Sequence, residues 1–304
     1  MSHYKTKVLI ILGPTASGKT ALAVKLAEMV EGEIISADSR QVFRGMDIGS
    51  GKDLVEYGNT PYHLIDIRPA GGEYSVSDFQ HDAHLALSDI RSRKRVPIIC
   101  GGTGHYIKSL LDDYTFEHNR SDLTITHSLE RLTREALYGE IQSLGLWEDH
   151  HWESDSRRRM ARAIEKHTHS QPATPPSPKF NELYHPLTFY VETERDILIS
   201  RIESRLGDRL QSGLIAEVEV LIEEGISHQR LERYGLEYKW VSLYLRGELD
   251  YHEMFQKLAV EIRRYAKRQM TFIRYLQKTG HPIEPITDPT SFFNRVLNLL
   301  SDSS

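Results

Sequence analysis

Short apolar runs alternate with segments of helical spacing along the first third of the chain. Residues 7–12 (KVLIIL) are apolar without a break after Lys7, the pattern of a strand buried on both faces, and residues 21–29 (ALAVKLAEM) follow with Leu22, Leu26 and Met29 at helical spacing. The strand signal repeats at 33–36 (EIIS) and 96–100 (VPIIC), with an amphipathic helix predicted over 77–93 between them. Strands alternating with helices predict the α/β class, a parallel sheet flanked by helices. From 112 to about 179 no strand-like run occurs, polar and helix-forming residues dominate, and the segment closes on QPATPPSPK. That change predicts a smaller all-helical insertion ending in a Pro-rich linker. Residues 187–191 (LTFYV) restore the strand signal, and helical patterns follow over 195–225, 239–246 and 252–278, separated by Gly-containing turns. The expected organisation is a core over 1–111, an insertion domain over 112–180, and a continuation of the core over 181–304 that ends in basic helices.

Composition narrows the class. The chain has 304 residues, about twice the ~150 typical of one domain, which suits a core with a second unit. Cys100 is the single cysteine, so no intramolecular disulfide can form and no thiolate zinc site is expected. His150 and His151 adjoin, but no metal-ligand spacing accompanies them. No stretch reaches the ~18 apolar residues of a membrane span, and the N-terminal strand runs straight into a loop motif, so no signal peptide, no membrane partner and a cytoplasmic location are expected. Net charge is −5, yet two local patches are basic. Arg157, Arg158, Arg159, Arg162 and Lys166 face one acid, Glu165, and seven basic residues between Lys257 and Lys278 face only Glu261. Such runs are either solvated helix faces or sites for a polyanion.

Gly13, Pro14, Thr15, Ala16, Ser17, Gly18, Lys19 and Thr20 fit G-x-x-x-x-G-K-S/T, after a predicted strand and at the start of a predicted helix. The glycines let backbone N–H groups wrap a phosphate, the helix N-terminus adds positive potential, Lys19 supplies a point charge, and the Thr20 hydroxyl can ligate Mg²⁺. The expected fold is therefore P-loop NTPase-like. The motif alone argues for a bound nucleotide such as ATP, although its physics specifies only linked phosphates. Asp38, just past the second strand, would stand at the carboxyl edge of the sheet beside this loop, as a metal ligand or a general base. Along the last basic helix, Tyr265, Phe272 and Ile273 lie at helical spacing and are expected to make core contacts rather than stack on bases.

Five blocks in order then carry a specific resemblance: GPTASGKT at 13–20, ISADSRQVFRGMDIGSGK at 35–52, YHLIDI at 62–67, YSVSDFQHDA at 74–83 and PIICGGTGHYIKSLL at 97–111. With RRMARAIE at 158–165, an Arg-containing helix at 201–225 and RRYAKRQMTFIR at 263–274, the sequence resembles the tRNA dimethylallyltransferases over nearly its whole length. The resemblance implies a prenyl transferase in which the loop holds the diphosphate of dimethylallyl diphosphate rather than ATP. The C5 group would move to N6 of the adenosine 3′-adjacent to the anticodon in tRNA. It further implies Asp38 as the group accepting the amine proton, and Lys19, Arg205 and Mg²⁺ on Thr20 as stabilisers of the departing diphosphate. Asp38, Ser39, Arg40, Gln41 and Thr103 map onto acceptor contacts, with Gln41 suited to an adenine edge. Arg158, Arg159 and Arg162, and Arg264, Lys267, Arg268 and Gln269, map onto two stretches that grip the anticodon stem-loop. A flipped base entering a channel open at both ends, and a monomeric enzyme, are expected.

Two segments depart from the family pattern. Gly49-Ser50-Gly51-Lys52-Asp53 stands for the usual G-T-A-K-P, and Tyr234-Gly235-Leu236-Glu237-Tyr238-Lys239 for a G-aromatic-basic block. They keep open transfer of the same group to free adenylate and, outside the family, a P-loop kinase or NTPase.

Overall fold

The computed structural model describes residues 5–114, 128–146, 152, 155–168 and 179–301. Six parallel strands form one sheet, β1 (Thr6–Leu12), β2 (Gly32–Ala37), β3 (Tyr62–His63), β4 (Val96–Gly101), β5 (Tyr184–Val191) and β6 (Ile283–Ile286), in the order β3-β2-β4-β1-β5-β6. The unbroken apolar run of β1 is explained by its place between β4 and β5. Val8, Ile10 and Leu12 face one core with Ile35 and Ile99, while Leu9 and Ile11 face the other with Ile34 and Ile98. Helices α2 (Val76–Ser92) and α3 (Gly104–Leu111) cover the first face, and α1 (Lys19–Val30) covers the second with the C-terminal α12 (Pro289–Ser301).

The parallel register aligns the carboxyl ends of the central strands. Leu12 pairs with Gly101 and Ala37 also pairs with Gly101, so β1, β4 and β2 end in one row. Their next residues, Gly13, Gly102 and Asp38, therefore leave the sheet side by side at its carboxyl end, where open α/β sheets bind ligands. Gly101 is required there because a Cβ would strike the Ala37 carbonyl.

A helical layer follows β5: α7 (Arg195–Gln211), α8 (Leu214–Glu223), α9 (His228–Tyr234), α10 (Leu236–Leu245) and the long α11 (Tyr251–Lys278). The helical signal over 195–225 breaks at Gly213, whose φ of 101° ends one helix and starts the next. Asp250 and Glu253 form a capping box that starts α11. Its stripe of Ile262, Ala266, Gln269, Ile273 and Leu276 is buried.

The chain divides into two compact units, Met1–Asp113 with Lys179–Ser304, and Tyr114–Pro178. The smaller unit contains α4 (Arg134–Ser143) and α5 (Arg157–Thr168), packed through Leu137, Ile141, Trp152, Met160, Ala161 and Ile164. In the larger unit, the short α6 (Phe180–Leu183) leads into β5. Residues 169–178, which hold nearly all of the expected Pro-rich linker, lie outside the described residues.

Candidate active site at the sheet edge

One cavity gathers residues from the ends of β1, β2 and β4 at this edge. Thr15, Lys19 and Thr20 come from the loop and first turn after β1, Asp38, Arg40 and Gln41 from the turn after β2, and Cys100 and Gly101 from β4. Arg205 and Arg209 reach in from α7, Tyr265 and Gln269 from α11, and Ser50, Gly51 and Tyr57 complete the lining.

The loop has the backbone and charge that suit an anion. Gly18 has φ 84° and hands the chain to α1 directly at Lys19, so the unpaired N–H groups of the helix start border the cavity. Lys19 Nζ donates to the Pro14 carbonyl at 3.3 Å, which folds the amine back over the loop. Burial pushes the Lys19 amine below its ordinary value, with Arg205 and Arg209 acting in the same direction and Cys100 and Asp38 opposing. An ammonium in that setting gains from an added anion. Burial also raises the neighbouring Cys100 thiol to about 11, so it stays protonated.

Asp38 is oriented by its own turn. Its Oδ1 accepts from the Arg40 N–H at 2.9 Å, and no donor among the described residues reaches its second oxygen. Thr103 braces this turn: its hydroxyl accepts from the Ser39 N–H at 3.1 Å. Tyr265, expected in the core, instead lines the cavity, and burial raises its hydroxyl to about 12.

Three residues expected to contact tRNA, Arg40 and Gln41 at the acceptor and Gln269 on the stem-gripping stretch, are engaged inside the protein. Arg40 ion-pairs at 2.6 Å with Glu237, which is buried, and its side chain is only 11% exposed. Burial works against that guanidinium, but Glu237, Asp38 and Tyr265 outweigh it and its pKa is raised. Gln41 accepts from Ser36 Oγ at 2.8 Å and donates to the Gly51 carbonyl at 3.1 Å, leaving one amide hydrogen and one lone pair for a base edge. Gln269 does not join the outward basic face of α11. Its Oε1 accepts from the Thr15 N–H at 2.8 Å and its Nε2 donates to the Gly102 carbonyl at 3.1 Å, so it clamps the Gly-rich loop to the end of β4. The buried stripe of α11 turns it inward.

Arg264, Lys267 and Arg268 are exposed on α11. Arg264 pairs with Glu261 one turn away, and Arg268 lies over the Tyr265 ring. A second, open cavity adjoins the first and is lined by Ser39, Arg40, Trp240, Tyr265 and Arg268, sharing Arg40 and Tyr265 with it. In the smaller unit Arg159 pairs with Asp155 at 2.8 Å and Arg162 is exposed. The Arg158 side chain lies outside those described.

Arg209 had no place in the sequence argument although it follows Arg205 by one helical turn, spacing that puts both on one face of α7. It donates to Glu237 at 3.1 Å, while Arg205 pairs with Asp53 at 2.5 Å.

The sheet order and the loop that follows β1 define an α/β protein of the P-loop-like class. The model of the family described as IPP transferase matches residues 41–276. A tRNA dimethylallyltransferase 2 of Syntrophotalea carbinolica is 46% identical, with 95% of this chain and 98% of that one covered. Another, from Shewanella sediminis, is 41% identical over 97% and 98% of the two chains. The crystal structure of the full-length tRNA isopentenylpyrophosphate transferase from Bacillus halodurans superposes with a TM-score of 0.71 at 32% identity, over 98% of this chain and 96% of that chain. This chain belongs to the IPP transferase family.

Proposed function

We propose that this chain transfers the dimethylallyl group from dimethylallyl diphosphate to N6 of the adenosine 3′-adjacent to the anticodon of tRNA, releasing diphosphate. The observation that carries the reading is the single cavity in which Lys19, Thr20 and Arg205 face Asp38. A cationic cradle on one side and a carboxylate with an open oxygen on the other are what displacement at a prenyl carbon needs. N6 attacks C1 of the dimethylallyl group, the C1–O bond breaks with its electron pair going to the diphosphate, and the N6 proton passes to Asp38. Lys19, Arg205 and the loop amides stabilise the charge that builds on the leaving group. The adjoining open cavity supports entry of the base from the side of Ser39, Trp240 and Arg268. The exposed Arg264, Lys267 and Arg268 suit the backbone of an anticodon stem-loop, and Arg159 and Arg162 of the smaller unit have the same chemistry.

Mg²⁺ fits this donor set. The cavity offers the Thr20 hydroxyl at the loop and a single carboxylate, Asp38, so most of the ion's shell would come from diphosphate oxygens and water, as Mg²⁺ prefers. Bound there, it would supply further charge to the leaving diphosphate.

The test offers labelled dimethylallyl diphosphate with tRNA and AMP in parallel, without nucleoside triphosphate. Label should enter tRNA, and Asp38→Ala should reduce its rate by ~10²–10⁴ while diphosphate still binds. Transfer to AMP alone, strict dependence on ATP hydrolysis, or undiminished turnover by Asp38→Ala would each sink the reading.

A further inference from the structure

Both segments in which the chain departs from its family pattern converge on the arginine pair of α7. Gly51 lies directly against Arg209: a Cβ at that glycine would collide with the Arg209 guanidinium and reach 3.5 Å from Arg205 Nη2. Glu237, from the other segment, accepts from Arg209 Nη1 at 3.1 Å. Asp53, two residues after Gly51, holds Arg205. Gly51 thus opens the space that Arg209 fills, and Glu237 fixes its orientation, leaving Nη2 beside Gly51 at the cavity lining.

The charges do not balance without an added anion. Glu237 is 2% exposed and is shared by Arg40 and Arg209, so one buried carboxylate serves two guanidiniums. Burial lowers the Arg209 pKa, with Arg205 and Arg40 pressing the same way against Glu237 and Asp53. Arg209 is also near enough to Lys19 to lower its amine. A planar fork with one edge spent on Glu237 and the other at the cavity is the form that binds a phosphate oxygen.

We propose that Arg209 binds the donor's diphosphate together with Lys19 and Arg205, and that Gly51 and Glu237 are the residues that place it there. This rests on the reading above, that the cavity takes a diphosphate.

Inorganic diphosphate with Mg²⁺ is the probe, titrated calorimetrically into wild type, Arg209→Met, Arg209→Lys, Gly51→Ala and the Gly51→Ala/Arg209→Met double variant. Loss of a charge-assisted contact should weaken diphosphate roughly 10-fold or more in Arg209→Met. Arg209→Lys should recover part of it. Gly51→Ala should weaken binding too, and the double variant should be no weaker than Arg209→Met, because both changes remove one contact. KM for dimethylallyl diphosphate should rise in Arg209→Met while tRNA affinity stays unchanged. A merely structural arginine predicts the opposite pattern, a lowered melting midpoint without ligand and an undiminished diphosphate-induced shift. That pattern, or an Arg209→Met affinity within about 2-fold of wild type, a change of under half a kcal/mol, would overturn the proposal. A wild-type chain that binds no diphosphate would remove the functional reading itself, whereas wild-type binding shared equally by Arg209→Met removes only this inference.

Discussion

Replacing Glu237 by Gln keeps the shape of the side chain and removes the one carboxylate that serves two buried cations. Arg40 and Arg209 are 11% and 15% exposed and lie 2.6 and 3.1 Å from the two carboxylate oxygens. Glu237 also sits in the first turn of α10, where the helix N-terminus favours negative charge. The amide oxygen of Gln can still accept from one guanidinium, but its NH₂ then confronts donors on the other. Breaking a buried pair typically costs ~3–5 kcal/mol because a charge is left uncompensated. Asp38 lies close enough to Arg40 to relieve part of this, which places the expected loss near the lower end, about 3 kcal/mol. With a urea dependence of about 3 kcal/mol per molar, the unfolding midpoint should fall by about 1 M. Tryptophan fluorescence reports on the transition, since Trp240 lies three residues along the same helix beneath Lys239 and Lys257. A midpoint loss under about 0.3 M, equivalent to under about 1 kcal/mol, would refute the view that Glu237 compensates both arginines.

Two further outcomes follow from the charged groups of the site and of α11. Replacing Arg264, Lys267 and Arg268 together by Ala should weaken tRNA binding and flatten its logarithmic salt dependence by up to ~2 units; an unchanged slope would make this a solvated helix face. Burial holds the Lys19 amine below its ordinary 10.5. Between that lowered value and 10.5 the folded chain carries fewer protons than the unfolded one, so this group's contribution to stability rises with pH through the window. Diphosphate affinity, which needs the ammonium, should fall over the same window, and Lys19→Met should abolish both trends; parallel pH profiles for wild type and variant would exclude Lys19 as their source.

The central strands were legible because burial on both faces demands continuous apolar runs, and β1, β2 and β4 have no other way to satisfy their position. The loop of Gly13 to Thr20 and the carboxylate at Asp38 were legible for a related reason, since phosphate wrapping and a strand-end acid are local requirements met by neighbouring residues. The edge strands Tyr62–His63 and Ile283–Ile286 were not, because two or four residues carry no measurable alternation. Gln269 shows how a basic run misleads: its neighbours Lys267 and Arg268 face outward, while helical geometry turns Gln269 onto the buried stripe with Ala266 and Ile273. That stripe is written in the sequence, but its partner, the Thr15 amide, is 254 residues away. The same separation hid the arrangement of Gly51, Arg209 and Glu237. Each is an ordinary residue in its own segment, and only the packing of α7 against the turn after β2 and the start of α10 makes a missing Cβ, a guanidinium and a buried carboxylate into one device. Local chemistry repeats along the chain and can be read there; charge compensation and steric vacancy arise between distant segments, and tertiary structure alone decides them.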